Sequence, residues 1–408
     1  LIIIFIIMEN KFYRKILKNG MTVIFEKREV PVVSIAFAVK NGGINEDISE
    51  KGISHFIEHM LYKGTKKRNS KQIAEEIERN GGELNGFTDE AITAYWCKLP
   101  SIHLNLGLEV LSDMINNSIF DEKEMEKERK VIFEEIKMRK DTPRIYVLDQ
   151  IQSFLYKGTL GAPLIGTIET MSAINRNKII EKYKQIYQPN NMILCVVGDA
   201  NFEDIVKFVE DNFKDGKGKI PEFKIDLHNE IKIEERKGID QANLIFAHHV
   251  PLGSDSKSYS AVVLNALMAG GMSSRLFSEI REKRNLAYAI KGGSNINRDF
   301  AYNIIYVGCE KNNIKKIKEL ILKEFKDVAE NLSEKELQQI KEQLIGNYLI
   351  GQEDSQNQMV NLLTSELIND ATEFYDFEKK ILNVKLEDIK NLANINDFSF
   401  FALVPEEF

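Results

Sequence analysis

Asp121-Glu122-Lys123-Glu124-Met125 and Ser333-Glu334-Lys335-Glu336-Leu337 are one helix start written twice, 212 residues apart. In each, the first side chain offers an oxygen to the backbone three residues on, and the glutamate there can reach back, which makes a capping box. Each box opens an amphipathic stretch of similar length.

The surroundings of the two copies repeat as well. Before the first come β-type runs at 22–26 and 32–39 around a turn at Val30-Pro31, and helical patterns at 51–62 and 71–79. A Gly81-Gly82 turn, a strand at 93–99 and a helix from Pro100-Ser101 to Asn117 follow, then the boxed helix at 121–139. Before the second come a strand at 243–249, helices at 259–268 and 274–283, and strands at 286–293 and 302–309; two long helices follow. Strands at 192–197 and 398–404 close the halves at corresponding ends. The period is too long for a solenoid. The expected fold is therefore α+β, with two homologous domains, each a mostly antiparallel sheet flanked by helices. The expected domains are residues 8–214 and 231–408, joined by the polar, glycine-containing linker 215–230.

The halves differ at one place. Residues His55-Phe56-Ile57-Glu58-His59 have no counterpart in the second half, and at the 212-residue offset Glu135 faces Asn347. On a helix, His55 and His59 stand one turn apart on one face with Glu58 beside them. Ile53, Phe56, Ile57, Met60 and Leu61 make that helix apolar nearly all round, so it should be buried and its polar side chains need partners. The pattern points to a zinc site with a carboxylate next to it for work on water.

Two histidines leave such a site one protein ligand short. In the helix 121–139, Glu128 and Glu135 fall within about 20° of each other, beside Met125, Ile132 and Ile136, whereas Glu134 lies on the opposite side. Periodicity nominates Glu135 and Glu128 as the inward acids, with Glu128 a partner that orients a ligand rather than a ligand itself. His103 and the pair His248-His249 are the rival third ligands.

Bulk composition narrows the classes. The chain of 408 residues carries 43% hydrophobic and 29% charged residues and a net charge of −7, which argues against nucleic-acid or anionic-membrane partners. Cys97, Cys195 and Cys309 have no paired spacing, so a reducing, cytoplasmic compartment is expected. Residues 1–7 are apolar but too short to span a bilayer; they are read as an extension upstream of a start at Met8, with a membrane-associating tail as the alternative. Gly270-Gly271 lacks a following Lys-Ser/Thr and reads as a turn rather than a phosphate loop.

Together, the pentapeptide, the following Met60-Leu61-Tyr62-Lys63-Gly64-Thr65, Glu135 76 positions after His59, and Glu128 seven positions earlier resemble the pitrilysin family of zinc peptidases. The resemblance runs from about Asn10 nearly to the end and is to the single-pair-of-domains type, similar to the mitochondrial processing peptidase beta subunit. It implies one Zn2+ per chain held by His55, His59 and Glu135, with Glu58 as general base. It implies that Asn80-Gly81-Gly82-Glu83-Leu84-Asn85 leads into an edge strand to which substrate adds, with Asn85, Gly86 and Phe87 as contacts. Alanine is more usual in the family where Gly86 stands. Ser273-Ser274-Arg275-Leu276-Phe277 and the segment from Arg281 to Tyr288 resemble the C-terminal signature, in which an arginine and a tyrosine seven residues later reach the substrate and the oxyanion. Arg281 and Tyr288 match that spacing; Arg284 does not.

The implied activity is zinc-dependent endopeptidase hydrolysis of short unfolded oligopeptides in a chamber enclosed by two chains. A homodimer is expected and a heterodimer is the alternative. A processing peptidase for leader segments and an inactive partner subunit are the competing readings. Cobalt or manganese could occupy the same ligands.

Overall fold

In chain order the computed structural model has β1 (Lys11–Ile16), β2 (Thr22–Lys27), β3 (Val32–Val39), α1 (Ile53–Leu61), α2 (Ser70–Glu78), β4 (Glu83–Thr88), β5 (Thr93–Pro100), α3 (Leu104–Asn117), α4 (Glu122–Asp141) and α5 (Pro143–Leu155). Next come β6 (Tyr156–Lys157), α6 (Ile168–Ala173), α7 (Arg176–Ile186), β7 (Met192–Gly198), α8 (Phe202–Asn212), β8 (Asp226–Leu227), β9 (Ile231–Arg236), β10 (Ala242–His249) and α9 (Ser258–Ala269). The chain ends with β11 (Ala287–Ile296), β12 (Ala301–Cys309), α10 (Ile314–Asn331), α11 (Glu334–Gly351), α12 (Ser355–Ile368), α13 (Phe377–Leu382), α14 (Leu386–Ala393) and β13 (Ser399–Pro405). The structure describes residues 11–406, so the readings of residues 1–7 and of Met8 lie outside the described residues.

The fold is α+β, and the duplication is written in its sheets. The first sheet has the order β1-β2-β7-β3-β5-β4, with only β2 and β7 parallel. The second has the order β11-β12-β10-β13-β9, with only β13 and β9 parallel. Read from β4 to β2, the first sheet has the same connectivity as the second from β11 to β9. Their central strands, β3 and β7 in one and β10 and β13 in the other, are nearly continuous buried apolar runs, as strands covered on both faces must be. Both boxed helices form where the repeat placed them: Asp121 accepts from the N–H of Lys123 and Glu124, and Ser333 from that of Glu336.

Two compact units are present, and each borrows a helix from the other half of the chain. Among the described residues the first unit takes the chain up to Glu134, Leu164–Phe223 and Gly351–Leu367. The second takes Glu135–Pro163, Lys224–Ile350 and Ile368 onward. One division falls at Phe223/Lys224, inside the expected linker, but the contiguous domains 8–214 and 231–408 do not describe the packing. Within the first unit, α12 lies on the sheet through Arg14 to Glu366 (2.7 Å), Ser34 to Ser355 (2.9 Å) and Gln358 to Glu26 (2.7 Å). Within the second, α5 covers β10 and β13, with Phe154 stacked on Phe401 at 5.0 Å and Ser399 Oγ donating to the Phe154 carbonyl at 2.7 Å. An amphipathic helix shows that it covers a sheet, not which one, so this exchange was not readable from pattern. Among the described residues no helix is long and apolar enough to cross a membrane.

Helix α1 enters the first unit over a buried ionic cluster. Its N-cap, Gly52, has φ +94 and no capping side chain, and a Cβ there would come 2.7 Å from the Ile165 carbonyl oxygen. Glu46 caps the helix instead, accepting from the N–H of Gly52 (2.8 Å) and Ser54 (2.7 Å). Lys51 donates to the Gly43 carbonyl at 2.8 Å and lies 3.4 Å from Glu90 and 4.0 Å from Glu46. One ammonium thus serves two buried carboxyls. Burial pushes Glu90 up to about 7 against the pull of Lys51, and raises Glu46 for the same reason.

The folded chain therefore holds the Glu90 proton until about pH 7, whereas the unfolded chain releases it near the ordinary value of 4.5. Between these values the unfolded state has lost a proton that the folded state keeps, so this group's contribution to stability declines as pH rises through the window and then levels off. Glu90→Gln removes that dependence. The melting temperature of the wild type relative to Glu90→Gln should fall from about pH 5 to about pH 7.5; two curves that stay parallel would contradict the assignment.

Candidate active site

Helix α1 is buried on almost every side: Ile53, Phe56, Ile57, Met60 and Leu61 are all in the core, and His55 is only 8% exposed. Its one polar strip carries His55, Glu58 and His59. Their imidazoles meet edge to face with ring centroids 4.6 Å apart, and the two Nε2 atoms are 3.2 Å from each other. The strip faces α4. The boundary between the units falls inside that continuous helix, and Glu135 stands on it just past the division. One ligand atom from each of His55, His59 and Glu135 lies within 4.8 Å of the others, the only such group of three among the described residues.

These donors fit a zinc ion. With bonds of about 2.0–2.1 Å in tetrahedral array, neighbouring ligand atoms stand about 3.3 Å apart, and the two Nε2 atoms meet that spacing. Two imidazoles and one carboxylate are also the donor set of a catalytic site, which keeps a position open.

Glu128 holds the second side of His59. Its Oε2 lies 3.1 Å from His59 Nδ1, and its Oε1 accepts from Lys63 Nζ at 2.7 Å. Burial alone would raise this carboxyl, but the hydrogen bonds from His59 and Lys63 outweigh it and hold the group below the ordinary value. Next to it, Arg129 donates to the Met171 carbonyl and, at 2.9 Å, to that of Ile174, and stacks over the Phe56 ring at 5.2 Å. That side chain pins α4 to α1 and α6. Glu134 points to solvent, as its side of the helix requires.

The rival ligands are elsewhere. His103 lies in the short turn Ser101–His103. His248 is buried in β10 beside Phe325, and burial pushes it down to about 3, so it stays neutral. His249 contacts the His228 carbonyl at 3.1 Å.

Asn85, Gly86 and Phe87 are on β4, the last strand of its sheet, which among the described residues pairs only with β5. The Asn85 side chain accepts from the Gly86 N–H at 2.8 Å. A Cβ on Gly86 would meet the Tyr62 hydroxyl at 2.5 Å, the Ala94 carbonyl oxygen at 2.8 Å and Glu58 Oε1 at 3.3 Å. The absence of the usual alanine is thus matched to a tyrosine hydroxyl that fills its place. Arg281 and Tyr288 come together in the second unit, lining one cavity of about 470 Å³ with Phe277 and Gly270-Gly271. Arg281 stacks on Phe277 at 4.9 Å in a wide turn, and Tyr288 sits at a bulge of β11.

Residues 22–168 match the family Insulinase (Peptidase family M16), and residues 173–344 match the Peptidase M16 inactive domain. A protein of Bacillus subtilis named uncharacterized zinc protease YmxG is 33% identical over 398 residues, spanning 95% of this chain and 97% of that one. The chain belongs to peptidase family M16. An uncharacterized zinc protease of Rickettsia felis is 32% identical over 95% of each chain. Among solved structures, a protease from Helicobacter pylori superposes with a TM-score of 0.90 at 23% identity, covering 97% of this chain and 100% of that one. The peptidase M16 inactive domain from Pseudomonas fluorescens gives 0.87 at 18% identity over 97% and 99% of the chains. These structures share the M16 fold. The M16 peptidase match contains His55, Glu58, His59 and Glu135; the half without the pentapeptide carries the match to the inactive domain.

Three side chains that touch the site were not singled out from sequence: Tyr62, Lys63 and Thr88, whose Oγ1 donates to Glu58 Oε2 at 2.6 Å. Thr88, two after Gly86, shares its strand face and so had a signal in spacing, whereas Lys63 lies in the turn just past the end of α1.

Two outcomes are expected. Glu128→Ala should weaken metal affinity about 10–100-fold, read by competition with a chromophoric chelator; unchanged affinity would detach Glu128 from the site. Gly86→Ala should cost about 1–3 kcal/mol in unfolding experiments by overpacking. Adding Tyr62→Phe should recover part of that loss, because the Ala94 carbonyl contact remains.

Proposed function

We propose that the chain is a zinc-dependent endopeptidase that hydrolyses short unfolded oligopeptides in an enclosed chamber. The observation that carries the reading is the convergence of His55, His59 and Glu135 within 4.8 Å, with Glu58 between the two histidines on the same helix. Zinc at these residues would supply a Lewis acid that polarises the scissile carbonyl.

The rest falls to the chain. Glu58 takes the proton of the attacking water and hands it to the leaving amine. The outer edge of β4 offers main-chain groups to an extended peptide, which explains why an unfolded substrate suits it, and Asn85, Gly86 and Phe87 are the contacts. A peptide adding there would compete with the Asn85 side chain for the Gly86 N–H. Arg281 and Tyr288 are assigned to substrate and oxyanion on the family resemblance, as is the pairing of two identical chains around the chamber. Cys97, Cys195 and Cys309 are buried free thiols, and burial pushes Cys97 and Cys309 up to about 12, which supports a cytoplasmic setting for inert, unpaired cysteines.

The test is hydrolysis of a quenched-fluorescence peptide library by purified protein, beside Glu58→Gln and a chelated sample. Cleavage should fall by about 10²–10⁴-fold in Glu58→Gln and vanish on chelation. Many cleaved sequences support oligopeptide turnover, and a single site supports the processing reading. A folded, metal-loaded wild type that cuts nothing would overturn the endopeptidase reading in favour of the partner-subunit one.

A further inference from the structure

Strand β4 meets helix α1 with one of its two faces. Side chains alternate along a strand, so Leu84, Gly86 and Thr88 share a face while Glu83, Asn85 and Phe87 share the other. At Gly86 the inner face comes so near the helix that a Cβ would lie 3.3 Å from Glu58 Oε1. At Thr88 the contact is a hydrogen bond, Oγ1 donating to Glu58 Oε2 at 2.6 Å. Both oxygens of the Glu58 carboxylate therefore lie against this face of β4.

The hydroxyl itself is held in place. Thr88 ends the strand, paired with Thr93 of β5. The turn beyond is closed by Asp89 N–H donating to the Ile92 carbonyl at 2.8 Å. Thr93 Oγ1 donates to the Asn41 carbonyl at 3.0 Å, and Asn41 Nδ2 donates to Ser54 Oγ at 3.0 Å on α1. The strand end and the helix are thus linked a second time through buried groups. Threonine, branched at Cβ, has few rotamers, which further limits where the oxygen can go.

We infer that Thr88 is a positioning residue for Glu58, its hydroxyl fixing the plane of the carboxylate in the orientation that proton transfer requires. The inference rests on the reading of Glu58 as general base. A hydrogen bond to a charged acceptor is short and directional, so it restricts rotation about the last bond of the glutamate. Because Thr88 belongs to the strand proposed to take the substrate, the same backbone aligns the peptide and the base. Residues 85–87 present the substrate on the outer edge, and residue 88 sets the group that acts on it. Misplacing a catalytic group slightly costs rate rather than binding.

The experiment compares wild type, Thr88→Val, Thr88→Ser and Glu58→Gln, each zinc-loaded, by kcat and KM on one peptide found by the library and by zinc affinity against a chelator. Thr88→Val keeps the shape and loses the donor; kcat should fall about 10–100-fold, with KM and zinc affinity within about twofold of wild type. Thr88→Ser keeps the donor and should retain most of kcat. Should Thr88→Val fail to fold, Thr88→Ala reads the same loss. An unchanged kcat in the variant without the hydroxyl overturns the inference, as does an equal loss in Thr88→Ser or a parallel loss of zinc affinity, each of which would make the role one of packing. An active Glu58→Gln would instead overturn the proposed function. An inactive Glu58→Gln beside a fully active Thr88→Val overturns only the role of Thr88.

Discussion

Everything in the first unit depends on holding one short, buried helix in a fixed orientation while its only polar strip faces a second helix. Nine residues of α1 carry His55, Glu58 and His59, and the rest of its surface is core. A helix this short has little stability of its own, so its placement must come from packing and from its ends. The start is held by Glu46 in place of a capping side chain, over Lys51 and Glu90. The end is held by Lys63 reaching Glu128. Burying Glu46, Glu90 and Lys51 together is costly, and a salt bridge of this kind is weak evidence of stability. Its geometric effect is clearer: it ties the start of α1 to the turn after β4, so the helix and the edge strand beside it share one anchor.

The second half shows the same scaffold without that demand. Where β3 leads to α1, β10 leads to α9, whose sequence Ser258-Tyr-Ser-Ala-Val-Val-Leu-Asn-Ala-Leu-Met-Ala269 is apolar and carries no histidine. It covers β11 as α1 covers β4. The second unit carries a charge cluster of its own: Arg275 binds Glu336 at 2.7 Å through two nitrogens and lies 2.5 Å from Asp327, fastening the turn before β11 to α10 and α11. One topology thus supports two kinds of surface, because the sheet and its cover decide the fold while a few residues on one helix decide the chemistry.

How much of this was legible follows from what each signal encodes. Pattern placed α1, α4 and the central strands to within a few residues, because burial of one face imposes 3.6 spacing on α4 while burial on nearly every side leaves continuous apolar runs in α1 and the central strands. It also singled out Glu128 and Glu135, since an amphipathic helix displays which acids lean inward. The exchange of α5 and α12 left no trace, because an apolar stripe is complementary to any sheet. Strand β1 and the reach of Glu46 to the Ser54 N–H were invisible for another reason: they depend on contacts between residues that follow no common period. Thr88 lies between these cases, marked by its spacing from Gly86 but reading, by type, as an ordinary strand former.

The geometry of α4 explains why its two inward acids take different parts. Seven residues of helix rise about 10.5 Å and nearly complete two turns, so Glu128 and Glu135 lie on one face two turns apart. His59 lies across that interval with its ring. Glu128 meets Nδ1, and Glu135 brings a ligand atom to within 4.8 Å of ligand atoms of His55 and His59. A hydrogen bond at Nδ1 settles which nitrogen is left to donate an electron pair, so Glu128 orients the ring and leaves Nε2 facing the group that Glu135 would complete in the proposed zinc site. The hydrogen bonds from His59 and Lys63 outweigh burial and hold the Glu128 carboxyl below its ordinary value, and Arg129, one residue on, turns away to bind carbonyls of α6 and the following residue. One helix thereby separates its side chains by angle and by rise: Arg129 turns away from Glu128 to anchor the helix, while Glu135 reaches the histidines two turns further along the face that carries Glu128.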